Sequence, residues 1–158
     1  MTRSTRAGES DEAAVVEQSL EVAPAVREVM QISELDRFRE VAARVFVDRR
    51  VIGYTIRLAD ATRNPESYGL SELAPLIEYG ASPRGPIGLA QSARALALLR
   101  GRDYATARDV QDVAADVLRH RLVLSYEAMA DGISADSVLE RVFNAVDPQD
   151  DDGVRAAR

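Results

Sequence analysis

The chain has no lysine: all twenty of its basic residues are arginine. A phosphate-binding loop of the form Gly-x-x-x-x-Gly-Lys is therefore impossible within this polypeptide. Cysteine is absent too, which excludes disulfides, thiolate metal sites and thiol nucleophiles and permits a reducing compartment. One histidine, His120, cannot build a histidine-rich metal centre. Apolar runs last only a few residues, far short of the roughly 20 that span a bilayer. Residues 1–10 carry charge with no hydrophobic stretch behind them, which is not the pattern of a secretory signal. Positive charge is also in deficit. Twenty-six acids against twenty bases give a net charge of −6, which disfavours non-specific binding to nucleic acid or anionic membranes. The expectation is a cytoplasmic protein with neither nucleic acid nor membrane as partner.

What is present reads as one helical domain. A length of 158 residues, with 46% hydrophobic and 29% charged, is enough to bury a core without staples. Three segments are expected: a flexible arm over 1–10, a helical body over 11–146, and an acidic flexible tail over 147–158, rich in aspartate. The ends are too polar to offset their ordering entropy. A weak helix over 11–20 breaks near Pro24. Ser33 is a candidate cap for a helix whose apolar face is Leu35, Phe38, Val41, Ala42 and Val45. Asp48 caps the next helix, which Asn64-Pro65 stops.

A connection with a turn or two of helix around 71–78 leads to what reads as the central helix. Ser82 is its cap and Pro83 its first residue, where a missing N–H is harmless. The body over 87–99 is apolar on nearly all sides, which places it inside, and Gly101 ends it. Thr106 caps a helix with Val110, Val113, Ala114, Val117 and Leu118 on one face. The run Leu122-Val123-Leu124 is compatible with a helix end or with a short strand, which Val45-Phe46-Val47 could pair. Ser134 opens a last helix. The fold class is all-α, a bundle of about five or six helices, with room for one short two-stranded pairing.

Arg84 is the leading candidate for chemistry. It stands in the first turn of the central helix, at the positive end of the macrodipole, where acids are favoured and a cation is not. Free backbone N–H groups and a guanidinium together suit phosphate oxygens. The plainer alternative is a solvated side chain or a pair with Glu78. Arg63 closes a helix, where a cation suits the dipole, so structural pairing is its expected role. Arg119, His120 and Arg121 cluster near another helix C-terminus and invite the same reading. Asp103-Tyr104 reads as turn and packing.

The string Gly80-Ala81-Ser82-Pro83-Arg84 resembles the Gly-Ala-Ser-Pro-Arg signature of the MoxR family of AAA+ ATPases. Val45-Phe46-Val47-Asp48 with Tyr54, and Ala61-Thr62-Arg63, precede it in the family's order. The stretches Arg94 to Tyr104 and Asp116 to Leu122 follow it. The resemblance covers roughly 11–146 and implies an AAA+ lid behind a nucleotide-binding core. Arg84 then takes the sensor 2 role toward the γ-phosphate, with Ser82 and Pro83 in the same nucleotide-contacting turn and no metal ligand. It further implies ATP and Mg²⁺ in an intact ATPase but none for this chain alone, and an AAA+ core domain in cis or trans. A ring oligomer and chaperone-like remodelling or maturation of partners, often proteins with von Willebrand factor A domains, complete the implication.

The departures are as informative. The chain has no Walker loop, no hydrophobic strand ending in paired Mg²⁺-binding acids and no preceding α/β sheet, and phosphoryl transfer needs these parts. This chain alone is therefore expected to be inactive. Gly85-Pro86 replaces the Ala-Ser or Ala-Thr that follows the family's arginine. Leu35-Asp36-Arg37-Phe38 resembles a Leu-Asp-Arg-Phe string of MoxR cores, but it lies too close to Gly80, so Leu35 and Phe38 are assigned to the core and Arg37 to the solvated face. A free-standing helical interaction module that has lost nucleotide binding is the alternative, favoured by the chain's own Met1. A small acid–base enzyme lacks a convergent set of carboxylates.

Overall fold

The computed structural model describes residues 9–20 and 27–149. The expected break at Pro24 lies outside them, as do the expected loose ends, apart from residues 9–10, which begin the first helix, and 147–149. The chain divides into two units, residues 1–35 and 36–158. The first contains α1 (Glu9–Leu20), on which Val15, Val16 and Leu20 are exposed. Helix α2 (Ile32–Arg44) runs across the division. Its first turn begins one residue before Ser33: the carbonyl of Gln31 accepts from the N–H of Glu34 at 3.0 Å, and the Glu34 carboxylate accepts in turn from the Gln31 N–H at 2.9 Å.

Within the second unit the order is β1 (Phe46–Val47), α3 (Arg49–Arg63), β2 (Ile77–Tyr79), α4 (Arg84–Leu99), β3 (Tyr104–Ala105), α5 (Ala107–Leu118), β4 (Val123–Leu124), α6 (Tyr126–Ala130) and α7 (Ala135–Ala145), with 3₁₀ turns between. The all-α expectation holds, and so do the caps at Asp48, Thr106 and Ser134. The cap expected at Ser33 does not form, because α2 has already begun at Ile32. Asp48 accepts from the N–H of Arg50 at 2.8 Å, Ser134 accepts from that of Ser137 at 3.2 Å, and α3 ends at Arg63. Gly101, at φ +72°, closes α4 in the left-handed region that favours glycine.

Helices α3, α4, α5 and α7 make the core, centred on Tyr54, Leu58, Leu89, Val110, Ala114, Leu118, Leu139 and Val142. Helices α4 and α5 form an antiparallel hairpin. At one end Gly85 lies against Leu118, and at the other Arg100 pairs with Asp109 and Asp112. The buried face of α4 is Gly85, Leu89, Ala93 and Ala97, a strict four-residue step. Small residues at three of these four positions let neighbouring helices approach closely. The opposite side is open, with Ile87 and Leu99 exposed, so α4 is central without being enclosed.

Two expectations need correction. Both short strands exist but do not pair with each other: β1 runs parallel to β3, matching Phe46 with Tyr104, and β4 runs antiparallel to β2, matching Val123 with Tyr79. Chain reversal at 100–106 and at 119–122 sets these partners, and neither is visible in a hydrophobic pattern. Leu35 and Phe38 are not core. They are 42% and 52% exposed, and no residue of α2 is buried. The amphipathic period is real, but within the bundle the stripe covers only its last position, Val45.

The contrast is measurable by urea denaturation. Leu89→Ala should lower stability by about 2–5 kcal/mol, whereas Phe38→Ser should change it by less than about 0.5 kcal/mol. A large loss from Phe38→Ser would contradict this account of α2.

Candidate functional site

Helix α3 ends beside the turn that starts α4, where Thr62 and Arg63 meet Gly80 and Ala81. The Thr62 hydroxyl donates to the Ala59 carbonyl at 2.7 Å and accepts from the Ala81 N–H at 2.8 Å. Arg63 Nη1 donates to the Ala81 carbonyl at 2.6 Å. The N–H and C=O of Ala81 are thus held by consecutive side chains. Gly80 permits the approach: a β-carbon there would stand 2.4 Å from the Thr62 carbonyl oxygen. Asp60 supports Arg63 at 3.2 Å and also accepts from Asn64 and from the Tyr68 hydroxyl. Burial, and then Asp60, push the Tyr68 phenol up to about 12, so it stays a donor. Arg63 therefore has the structural role expected of it. A cleft of about 280 Å³ between Arg63, Pro65, Ile77 and Gly80 lies behind this turn.

From that anchor the chain enters α4. Pro83 has helical angles, φ −54° and ψ −18°, and the Ser82 carbonyl accepts from Gly85 at 2.7 Å. The Ser82 hydroxyl accepts from the Arg84 N–H at a long 3.4 Å. The N-cap position falls on Pro83, which has no side-chain capping bond. The cap expected at Ser82 is thus displaced by one residue, because Pro83 has helical angles but the regular helix begins at Arg84. Ser82, Pro83 and Arg84 are all exposed. The Arg84 guanidinium has neither an ion pair nor a hydrogen bond among the described residues, and the alternative pair with Glu78 does not form. An unpaired cation at a helix start, on a turn fixed from behind, can bind an anion without first breaking an internal bond.

The other sequence candidates are placed differently. Arg119 is engaged by Asp136 at 2.6 Å and Asp116 at 3.2 Å, which raises its pKa. Arg121 donates to the Val117 carbonyl at 3.0 Å and contacts the ring of His120. No group of His, Cys, Asp and Glu suited to a metal ion occurs among the described residues.

Sequence reasoning gave no role to Asp109, the most heavily bonded carboxylate of the unit. It is fully buried, receives Arg100 at 2.8 Å and Arg102 at 2.5 and 2.9 Å, and closes a capping box with Thr106. Burial alone would raise its pKa, but the bonds from Arg102, Thr106 and Arg100 outweigh it and hold the carboxyl well below the usual range. The signal was available: Thr106-x-x-Asp109 is a capping-box spacing, and two arginines stand just upstream.

The AAA lid domain family matches residues 71–142. Over that stretch, a little under half of its length, the chain is similar to AAA lid domains. MoxR proteins are among its relatives: the chaperone MoxR1 of Mycobacterium tuberculosis is 44% identical over 123 residues, covering 78% of this chain and 33% of that protein. The MoxR protein of Paracoccus denitrificans is 45% identical over 76 residues, 46% of this chain and 22% of its own length. In structure, the chain is similar to a Cytophaga hutchinsonii chain assigned as an ATPase, with a TM-score of 0.75 and 33% identity over 90% of this chain and 44% of that one. The chain thus spans a third or less of the curated relatives it matches here.

Two outcomes follow. Gly80→Ala should destabilise the fold by about 1–3 kcal/mol, because its clash is with backbone and cannot be relieved by a rotamer change; an unchanged thermal midpoint would contradict the close approach. Asp109→Asn should lose about 3 kcal/mol at pH 7. Since the folded carboxyl titrates below its unfolded value of about 3.9, the stability it supplies is complete above that pH and is lost on acidification. The gap between wild type and variant should therefore narrow toward pH 3, and a gap independent of pH would contradict the assignment.

Proposed function

We propose that this chain is the lid of a MoxR-like AAA+ ATPase, and that Arg84 is its sensor 2 residue, touching the terminal phosphate of ATP bound by a core domain that this sequence does not contain. The observation that carries the reading is the exposed, unpaired Arg84 guanidinium at the start of α4, on a turn held by Thr62 and Arg63. Ser82 and Pro83 complete the phosphate-facing turn. ATP and Mg²⁺ belong to the intact enzyme: the chain has no lysine for a phosphate loop, and its own role is to close over the nucleotide and report its state by moving as a body. The core, in cis or trans, is its first partner. A ring assembly in the cytoplasm and ATP-driven remodelling or maturation of client proteins, including von Willebrand factor A domain proteins, follow from the same reading.

A second reading has one observation of its own. Phe38 and Val41 leave an apolar stripe open on α2, which suits a bundle that binds protein without nucleotide. One experiment separates them. Combined with a MoxR core, the chain should support Mg²⁺-dependent ATP hydrolysis, and Arg84→Ala should reduce turnover at least tenfold, on the order of 1.4 kcal/mol or more of activation free energy, with little change in the thermal midpoint. The chain by itself should hydrolyse nothing. Unchanged turnover in Arg84→Ala removes the sensor role, and association without any nucleotide effect favours the interaction module.

A further inference from the structure

We propose that Arg121 is a second phosphate-contacting arginine beside Arg84, so that the lid offers two guanidinium groups to one polyphosphate chain. The inference rests on the nucleotide reading of Arg84 and names a further residue of the same site.

Three features of the fold bring Arg121 to the start of α4. The antiparallel hairpin sets the C-terminal end of α5 against the N-terminal end of α4. A β-carbon built on Gly88 would lie 3.1 Å from Val117 Cγ1 and 3.8 Å from Arg121 Nη2. Gly88 is four residues after Arg84, hence one turn along the same face. The small sheet acts to the same end. Val123 of β4 is matched with Tyr79 of β2; Arg121 precedes Val123 by two residues and Arg84 follows Tyr79 by five. At Gly88 no side chain stands between α4 and Arg121.

The charges around Arg121 differ from those around its neighbour in sequence. Arg119 is neutralised by Asp116 and Asp136. Arg121 donates to the Val117 carbonyl and contacts the His120 ring, and it has no carboxylate partner among the described residues. The exposed end of α5 explains a cation at this point, and the bond to the Val117 carbonyl holds its guanidinium beside Gly88 of α4. Glu78, the acid on β2, forms no ion pair with Arg84 or Arg121. Two guanidinium groups without carboxylate partners, one at the start of α4 and one against Gly88 a turn later, together favour a polyanion over a single charge. The carbonyl and imidazole contacts fix Arg121 while leaving its Nη2 free to donate.

The test uses the full chain with ¹⁵N-labelled arginine and inorganic tripolyphosphate, following the side-chain Nε–Hε signals by NMR. The Arg84 and Arg121 signals should both move and saturate together, while those of Arg49 and Arg50, exposed at the start of α3, stay in place. Arg121→Gln should bind tripolyphosphate about tenfold more weakly with an unchanged thermal midpoint, and Arg121→Lys should recover part of the loss. If Arg84 responds while Arg121 is silent and Arg121→Gln titrates like wild type, the inference falls and the reading of Arg84 stands. If Arg84 does not respond, both fall. Equal movement of Arg49 and Arg50 would mean diffuse charge attraction and would overturn the paired site.

Discussion

The grip of Thr62 and Arg63 on the peptide groups of Ala81 is the contact on which the placement of the site depends. Without it, Gly80 to Pro83 would be a surface connection whose polar groups turn to water. With it, a buried hydroxyl and a guanidinium satisfy the N–H and C=O of one residue, each bond worth about 1 kcal/mol net but more if left unmade. Gly80 makes the grip possible by omitting the one atom that would collide with the Thr62 carbonyl. The end of α3 and the turn before α4, distant in sequence, are thus a single structural unit. Arg84 is aimed by the end of α3 as much as by the helix it begins.

The α4–α5 hairpin treats arginine in opposite ways at its two ends. Around the turn that joins the helices, Arg100 and Arg102 converge on buried Asp109, with Asp112 beside them, and every bond serves the fold. At the far end Arg119 is paired with Asp116 and Asp136, but Arg84 and Arg121 have no carboxylate partner among the described residues. The same side chain is a staple in one place and an open charge in the other. Such an asymmetry leaves one end of the lid chemically unfinished, and on the nucleotide reading that is the end which faces phosphate.

Much of this was legible in the sequence because it is local. Asp48, Thr106 and Ser134 announce their helices through side chains that bond within three residues, and Asn64-Pro65 ends α3 for a steric reason confined to two residues. What failed was non-local. The stripe on α2 has the right period, but period tells which residues share a face and not whether anything covers it. Val45-Phe46-Val47 and Leu122-Val123-Leu124 read correctly as strand candidates, yet their partners depend on where the hairpin folds back. Asp109 escaped notice because a capping carboxylate and a buried ion-pair centre look alike until the arginines arrive. The site itself was legible only at Arg84; the role of Thr62, and the approach of Arg121 to Gly88, needed coordinates.

A lid that reads a phosphate must turn a small contact into movement of a whole body, and the route for this is short. On the nucleotide reading, force on Arg84 acts on the first turn of α4. That turn cannot shift alone, because Gly85 is packed against Leu118 and Ala59 while Ala81 is bonded to α3. Helices α3, α4 and α5 share one close-packed core, and close-packed interiors transmit displacement instead of absorbing it. The lid would therefore move as a unit, and the nucleotide would shift its position only by as much as ATP and ADP differ in their interactions with it. Two arginines enlarge that difference more than one, since the bonds that disappear with the terminal phosphate are charge-assisted. A chain with no phosphate loop of its own can still govern an ATPase, provided its free charges meet the nucleotide and its bonded ones keep the bundle rigid.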